Sequence, residues 1–166
     1  MPVGSATLIY IASIIGINWL FVAVPLVPVL GAMFPPVMLI AGVVFVFRDF
    51  CQREVGHFVL AAMLVAGIIS YFMSAPEVAI ASMTAFLISE TIDWLVYTVS
   101  KRPLSQRILL SSAFSVPIDT LVFLHMVGIF NWMGMALVVI AKMLGAILFW
   151  AFLRHRERRR PEFALA

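Results

Sequence analysis

The sequence predicts an all-α, polytopic membrane protein of six transmembrane helices, with both termini cytoplasmic. Three observations predict it. Of 166 residues, 64% are hydrophobic and only 11% charged, where a soluble domain carries about 45–50% apolar and about 25% charged residues. The apolar residues fall in runs close to the roughly 20 residues that cross a bilayer as a helix. Apart from Lys142, Lys and Arg gather in alternate connections between those runs and after the last one, the asymmetry that orients helices in a membrane.

The helices are delimited by prolines, glycines and charges. Helix 1 is expected over Ser5–Leu26, closed by Pro25, Pro28 and Gly31, residues that break helices. It lacks the basic leader and short apolar stretch of a cleaved signal peptide. Helix 2 is expected over Pro35–Phe47, started by Pro35 and Pro36 and ended by Arg48-Asp49. Helix 3 follows over Val55–Met73. Helix 4 is expected over Pro76–Ser100, with Ser74-Ala75-Pro76-Glu77 as its turn and start. Helix 5 follows over Leu104–Ile129 and helix 6 over Trp132–Leu153. The connections are short, so successive helices run antiparallel, and residues 1–166 form one domain with no room for a soluble module. Glycines such as Gly16, Gly42, Gly67 and Gly145 permit close helix packing, though none forms a GxxxG pair.

Orientation follows from the basic residues. Arg48 and Arg53 fall between helices 2 and 3. Lys101, Arg102 and Arg107 fall between helices 4 and 5. Arg154, Arg156, Arg158, Arg159 and Arg160 follow helix 6. Six spans put all three groups on one face, and the opposite connections contain no Lys or Arg. The single cysteine, Cys51, excludes an intrachain disulfide.

Four charges lie deep inside the predicted spans. At a helix rise of about 1.5 Å per residue, Glu90 is roughly 15 Å deep, Asp93 roughly 10 Å, Asp119 roughly 22 Å and Lys142 roughly 18 Å. Each costs about 2.5–3.5 kcal/mol to insert, so each must face the bundle interior or a polar cavity. Glu90, Asp93 and Tyr97 share one face of helix 4, with Ser89 at its edge, and Ser115, Asp119 and Phe123 share a face of helix 5. Lys142 can pair with one acid and hold helices together. Three acids against one base leave two carboxylates that call for protons, water or a ligand, which favours a substrate cavity near the midplane. Arg48 and Asp49 read as a surface pair and topology signal at the cytoplasmic end of helix 2, or as part of a gate, with Arg53, or of an inner cavity. Asn18, mid-span beside Trp19, must bond another helix or a ligand. Trp94 and Phe123 adjoin the acids and either stack on a planar ligand or fill space. His57 and His125 are isolated near helix ends.

Several chemistries are excluded. There is no HExxH, CxxC or His/Cys cluster, so no metal or cofactor is expected. There is no GxSxG or P-loop, and the two aspartates lack the glycine context of intramembrane proteases. The chain is expected not to be an enzyme. Its basic residues adjoin spans, so nucleic acid is not an expected partner.

Five short patterns occur in order. They are Asn18-Trp19 in helix 1, Asp49-Phe50-Cys51-Gln52-Arg53-Glu54-Val55-Gly56 after helix 2, Glu90-Thr91-Ile92-Asp93 in helix 4, Ile118-Asp119-Thr120-Leu121-Val122-Phe123 in helix 5, and Lys142 in the last span. Together they resemble the queuosine-precursor transporters, the vitamin-uptake-transporter-like family, over nearly the whole chain. The chain departs from that pattern in its clipped external loops and in Pro117. The resemblance implies import of 7-deazaguanine bases such as 7-cyano-7-deazaguanine or its 7-aminomethyl relative, across a bacterial inner membrane. It implies a site drawn from Asn18, Glu90, Asp93, Trp94, Tyr97, Asp119, Phe123 and Lys142. A carboxylate of Glu90 or Asp119 suits the N1–H and 2-amino edge of such a base, and an aromatic ring suits its face. Two other readings stay open: a substrate-binding subunit of an energy-coupling vitamin importer, and a non-transporting protein whose charges only hold helices together. The small volume enclosed by six short helices leaves room for a homodimer.

Overall fold

The computed structural model describes residues 4–159, without the side chains of Pro76, Glu77 and residues 156–159. Arg160 and the side chains of Arg156, Arg158 and Arg159, expected as a topology anchor, therefore lie outside the described residues. In chain order the elements are α1 (Ser5–Ala23), β1 (Val27–Val29), β2 (Ala32–Phe34), α2 (Met38–Val55), a single 3-10 turn (Gly56–Phe58), α3 (Val59–Met73), α4 (Pro76–Val99), α5 (Leu104–Met126) and α6 (Trp132–Arg159). The described residues are 83% helical, and the all-α expectation holds.

The first connection differs from expectation. Helix α1 stops at Ala23, and Val27–Phe34 folds into a two-stranded antiparallel hairpin pairing Val27 with Phe34 and Val29 with Ala32. Its turn residues, Leu30 and Gly31, both adopt positive φ, at 50° and 80°, the backbone of a tight primed turn that suits strand twist. Alternating prolines and β-branched residues here cannot continue a helix, and the two short strands satisfy each other's backbone.

The second difference matters more. Helix α2 does not end at Phe47. It continues for two further turns to Val55 and breaks at Gly56, whose φ of 60° and ψ of −134° favour glycine. Nothing between Arg48 and Val55 breaks a helix. The charges expected to terminate it are instead accommodated inside the bundle.

The helices form a closed ring in the order α1, α2, α6, α5, α4, α3 and back to α1. The ring is collapsed onto α2, which also touches α3, α4 and α5 and so meets every other helix. The carboxylate of Glu54, in the last turn of α2, accepts hydrogen bonds from the amides of Gly4, Ala6 and Thr7 at the start of α1, at 2.9, 2.9 and 3.2 Å. The Ser70 hydroxyl near the end of α3 donates to Asn18 Oδ1 near the end of α1, at 3.3 Å. Helix α3 therefore folds back beside α1, and successive helices alternate in direction. One end of the bundle gathers Arg53, Lys101, Arg102, Arg107 and Arg154, and the hairpin lies at the other.

Among the described residues, five helical stretches are long and apolar enough to cross a membrane, one of them Met38–Met73, of 36 residues. A straight helix of that length would reach about 54 Å, far beyond a hydrocarbon core of about 30 Å. The reversal at Gly56 divides it. The chain is a multi-pass helical membrane protein.

Helices α2 and α6 cross at backbone contact. A Cβ added at Gly42 would fall 1.9 Å from the carbonyl oxygen of Lys142, and one at Gly145 would fall 3.3 Å from that of Leu39. These two glycines, far apart in sequence, together create the close approach that a GxxxG pair would otherwise provide.

Candidate functional site

Helix α2 carries Arg48 and Asp49 near its middle rather than at a surface. Both are fully buried, as are Glu90 and Asp93 on α4. The expectation of a surface pair is corrected. Arg48 is a second cation of the interior, and Asp49 a fourth acid. Its position in the hub helix puts Arg48 within reach of acids on two helices.

The guanidinium organises this lower cluster. Its Nη1 donates to Asp49 Oδ1 at 2.7 Å and to Gln52 Oε1 at 2.9 Å, and lies 3.1 Å from Asp93 Oδ2. Its Nη2 donates to the Glu90 carbonyl at 3.1 Å, and its Nε lies 3.4 Å from Glu90 Oε2. An arginine fork suits this many acceptors where a lysine would not. Neighbouring helices supply hydroxyls. Ser111 donates to Asp49 Oδ2 at 3.0 Å and Ser115 to Asp93 Oδ1 at 3.2 Å, both from α5. Tyr10 donates from α1 to Glu90 Oε2 at 3.1 Å. Below, Gln52 Nε2 donates to the Thr98 hydroxyl at 2.8 Å. Four helices are joined through one set of polar contacts.

An upper pair sits farther from the basic end of the bundle. Lys142 on α6 is bonded to Asp119 Oδ2 on α5, and Ser89 donates to Asp119 Oδ1 at 3.1 Å. Ser89 precedes Glu90, so α4 links the two layers. The upper pair is slightly open, with side-chain exposures of 15% for Asp119 and 7% for Lys142, whereas the lower charges have none.

Charge does not balance. Asp49, Glu90, Asp93 and Asp119 face Arg48 and Lys142, leaving a surplus of two carboxylates. Two of the carboxylate oxygens, Glu90 Oε1 and Asp93 Oδ2, are buried without a hydrogen bond, and Asp93 Oδ2 lies 3.1 Å from Arg48 Nη1. Buried polar atoms are nearly always satisfied, so an exception calls for a ligand, a proton or a change of state.

The remaining expected residues disperse. Tyr97 is buried in an apolar cluster with Val46, Leu104, Ile108, Ala146 and Leu153, and the Arg107 guanidinium lies 4.0 Å over its ring. Trp94 donates to His57 Nδ1 at 3.3 Å on an exposed edge, their rings meeting edge to face. Asn18 bonds the Ile14 carbonyl at 2.9 Å and Ser70 on α3, contacts between protein groups away from the charges. Phe123 is half-buried one turn beyond Asp119, and Arg53 is half-buried in the last turn of α2.

Sequence reading missed Tyr10, which sits in an unbroken apolar run without a charged neighbour. It also missed Ser111 as a partner of Asp49. The usable signal was the Ser111/Ser115 spacing, which puts two hydroxyls on one face of α5.

No curated protein and no solved structure matches the chain. The family model described as "Putative vitamin uptake transporter" matches residues 5–154, nearly the full length and all six helices. With its charges enclosed in a multi-pass helical bundle, the chain belongs to that vitamin uptake transporter family.

Proposed function

We propose that this transporter imports queuosine precursors, 7-cyano-7-deazaguanine or 7-aminomethyl-7-deazaguanine, across a bacterial inner membrane. The chain crosses six times, with both termini and the basic end of the bundle in the cytoplasm. The observation that carries this reading is the Asp119–Lys142 pair beside Ser89. It lies deep in the bundle, it is the more open of the two charged layers, and it belongs to the sequence patterns that resemble the queuosine-precursor transporters.

The chemistry suits a guanine-like base. An ionised Asp119 can accept from its N1–H and 2-amino group in place of Lys142 and Ser89. The released ammonium can then donate to the ring carbonyl. Phe123, one helical turn from Asp119, offers an aromatic ring to stack on the base. The pair thus satisfies itself when empty and exchanges partners when loaded, which keeps both charges compensated throughout. The fully enclosed Arg48 cluster lies between this pair and the basic end, and serves as the inner barrier that must rearrange for release.

The test is counterflow of radiolabelled 7-cyano-7-deazaguanine in proteoliposomes holding only this chain. Wild type should exchange label without any ATPase partner. Absence of exchange would sink the reading, and exchange only after adding an ATPase complex would favour an energy-coupling subunit.

A further inference from the structure

We propose that Glu90 holds one exchangeable proton within the Arg48 cluster, and that this proton moves when the inner barrier rearranges. The coupling to transport rests on the function proposed above, while the proton site stands on its own geometry. Three fully buried acids surround one cation here. Asp49 is held at both oxygens, by Arg48 and Ser111. Asp93 is hydrogen-bonded on one oxygen, by Ser115, and its Oδ2, though without a hydrogen bond, lies 3.1 Å from the Arg48 Nη1 cation. Glu90 is held on one oxygen alone, and its Oε1 faces no donor.

The groups around Glu90 supply no other compensation. Helix α1 offers the Tyr10 hydroxyl, and α2 offers Arg48 together with Asp49 and Cys51. Helix α4 itself adds Asp93, and α5 adds Asp119, whose charge is already paired to Lys142 from α6. Helix α3 has no charged side chain. An ionised Glu90 would thus share the single Arg48 cation with two other buried acids. A proton on Oε1 reduces the penalty of burying that charge to one unmade hydrogen bond. The proton enters from water on one side and leaves to water on the other, with no redox partner required. Arg48 also donates to the Glu90 backbone carbonyl, so any movement of α2 against α4 changes the surroundings of this carboxyl.

The experiment is infrared spectroscopy of the full chain in lipid, with thermal unfolding alongside. Wild type at neutral pH should show a protonated-carboxyl C=O band that disappears in Glu90→Gln and persists in Asp93→Asn. Glutamine mimics a protonated glutamic acid, so Glu90→Gln should keep the wild-type Tm while Asp49→Asn lowers it. A missing band, a band that survives Glu90→Gln, or a Glu90→Gln variant as unstable as Asp49→Asn would each overturn the proton site. In proteoliposomes containing a pH dye, external 7-cyano-7-deazaguanine should acidify the interior. Counterflow without acidification would overturn coupling and leave the transport reading standing. Loss of counterflow would overturn the transport reading and coupling with it, leaving the infrared band to decide the proton site.

Discussion

Gly42→Ala is the sharpest test of how the helices are held. A methyl group at this position would lie 1.9 Å from the Lys142 carbonyl oxygen, 2.7 Å from its carbonyl carbon and 2.9 Å from its Cα. Ordinary contact begins near 3.4 Å, so α2 and α6 must separate by about 1.5 Å along that line for repulsion to vanish. All three atoms are backbone, and no rotamer change can relieve them. Overpacking that flexible side chains can absorb costs about 1–3 kcal/mol, so this clash belongs at the top of that range or above. Replacing a helical glycine by alanine returns about 1 kcal/mol of propensity. The net expectation is a loss of about 2 kcal/mol or more. Gly16→Ala is the control, because a Cβ there meets nothing within 4 Å. That change should be neutral or stabilising by up to about 1 kcal/mol. Gly145→Ala, 3.3 Å from the Leu39 carbonyl oxygen, should fall between them. The assay is thermal unfolding in mild detergent followed by the fluorescence of the four tryptophans. Gly42→Ala unfolding at or above the wild-type temperature would refute the close crossing. Because Lys142 sits on the crossing itself, the separation should also loosen its pair with Asp119.

Arg48→Met removes the cation shared by three buried acids and should cost about 3–5 kcal/mol, the scale of breaking a buried ion pair from one side. Arg102→Met, at an exposed position, should cost under about 0.5 kcal/mol, and equal Tm losses for the two would contradict the buried assignment. In counterflow, Asp119→Asn and Lys142→Met should each lower exchange at least tenfold while the proteins still purify as folded monodisperse species, and wild-type rates in either would remove the upper pair from the substrate site. Glu54→Gln weakens the acceptor that holds the first turn of α1. Hydrogen–deuterium exchange should then quicken at Ala6 and Thr7 while the amides of α4 stay protected, and unchanged exchange would mean that Glu54 does not hold α1.

Much of the fold was legible because a bilayer imposes a coarse rule. Apolar runs, proline and glycine breaks and the alternation of basic connections specify how many helices form and which ends lie together, and those depend on composition more than on packing. The bounds of α4 show this: Pro76 starts the helix and Ser100 closes it as expected. The stripe of Glu90 and Asp93 with Ser89 at its edge was equally legible from helical periodicity, whereas Tyr97, expected on the same face, packs into an apolar cluster instead. Asp119 and Lys142 were each recognisable as buried by their depth, and their pairing as one of a few arithmetic options.

What the sequence could not reveal is which helix stands in the middle. The stretch from Arg48 to Glu54 carries four charges in seven residues, and by itself it reads as a helix end in water. Tertiary structure turns it into the central helix, because acids on α4 and hydroxyls on α5 compensate Arg48 and Asp49 only when α2 lies among them. Burial of a charge depends on its partners, and those partners are 42 or more residues away in the chain. The same holds for Tyr10, an ordinary apolar-helix residue until its hydroxyl reaches Glu90 on α4, and for Gly42, whose lack of a side chain matters only because a carbonyl of α6 occupies the space. Composition and periodicity thus determined a membrane bundle with acids inside it. Packing alone decided that the acids divide into a closed Arg48 cluster with an unsatisfied Glu90 and a more open Asp119–Lys142 pair, because charge compensation is a property of three-dimensional neighbours.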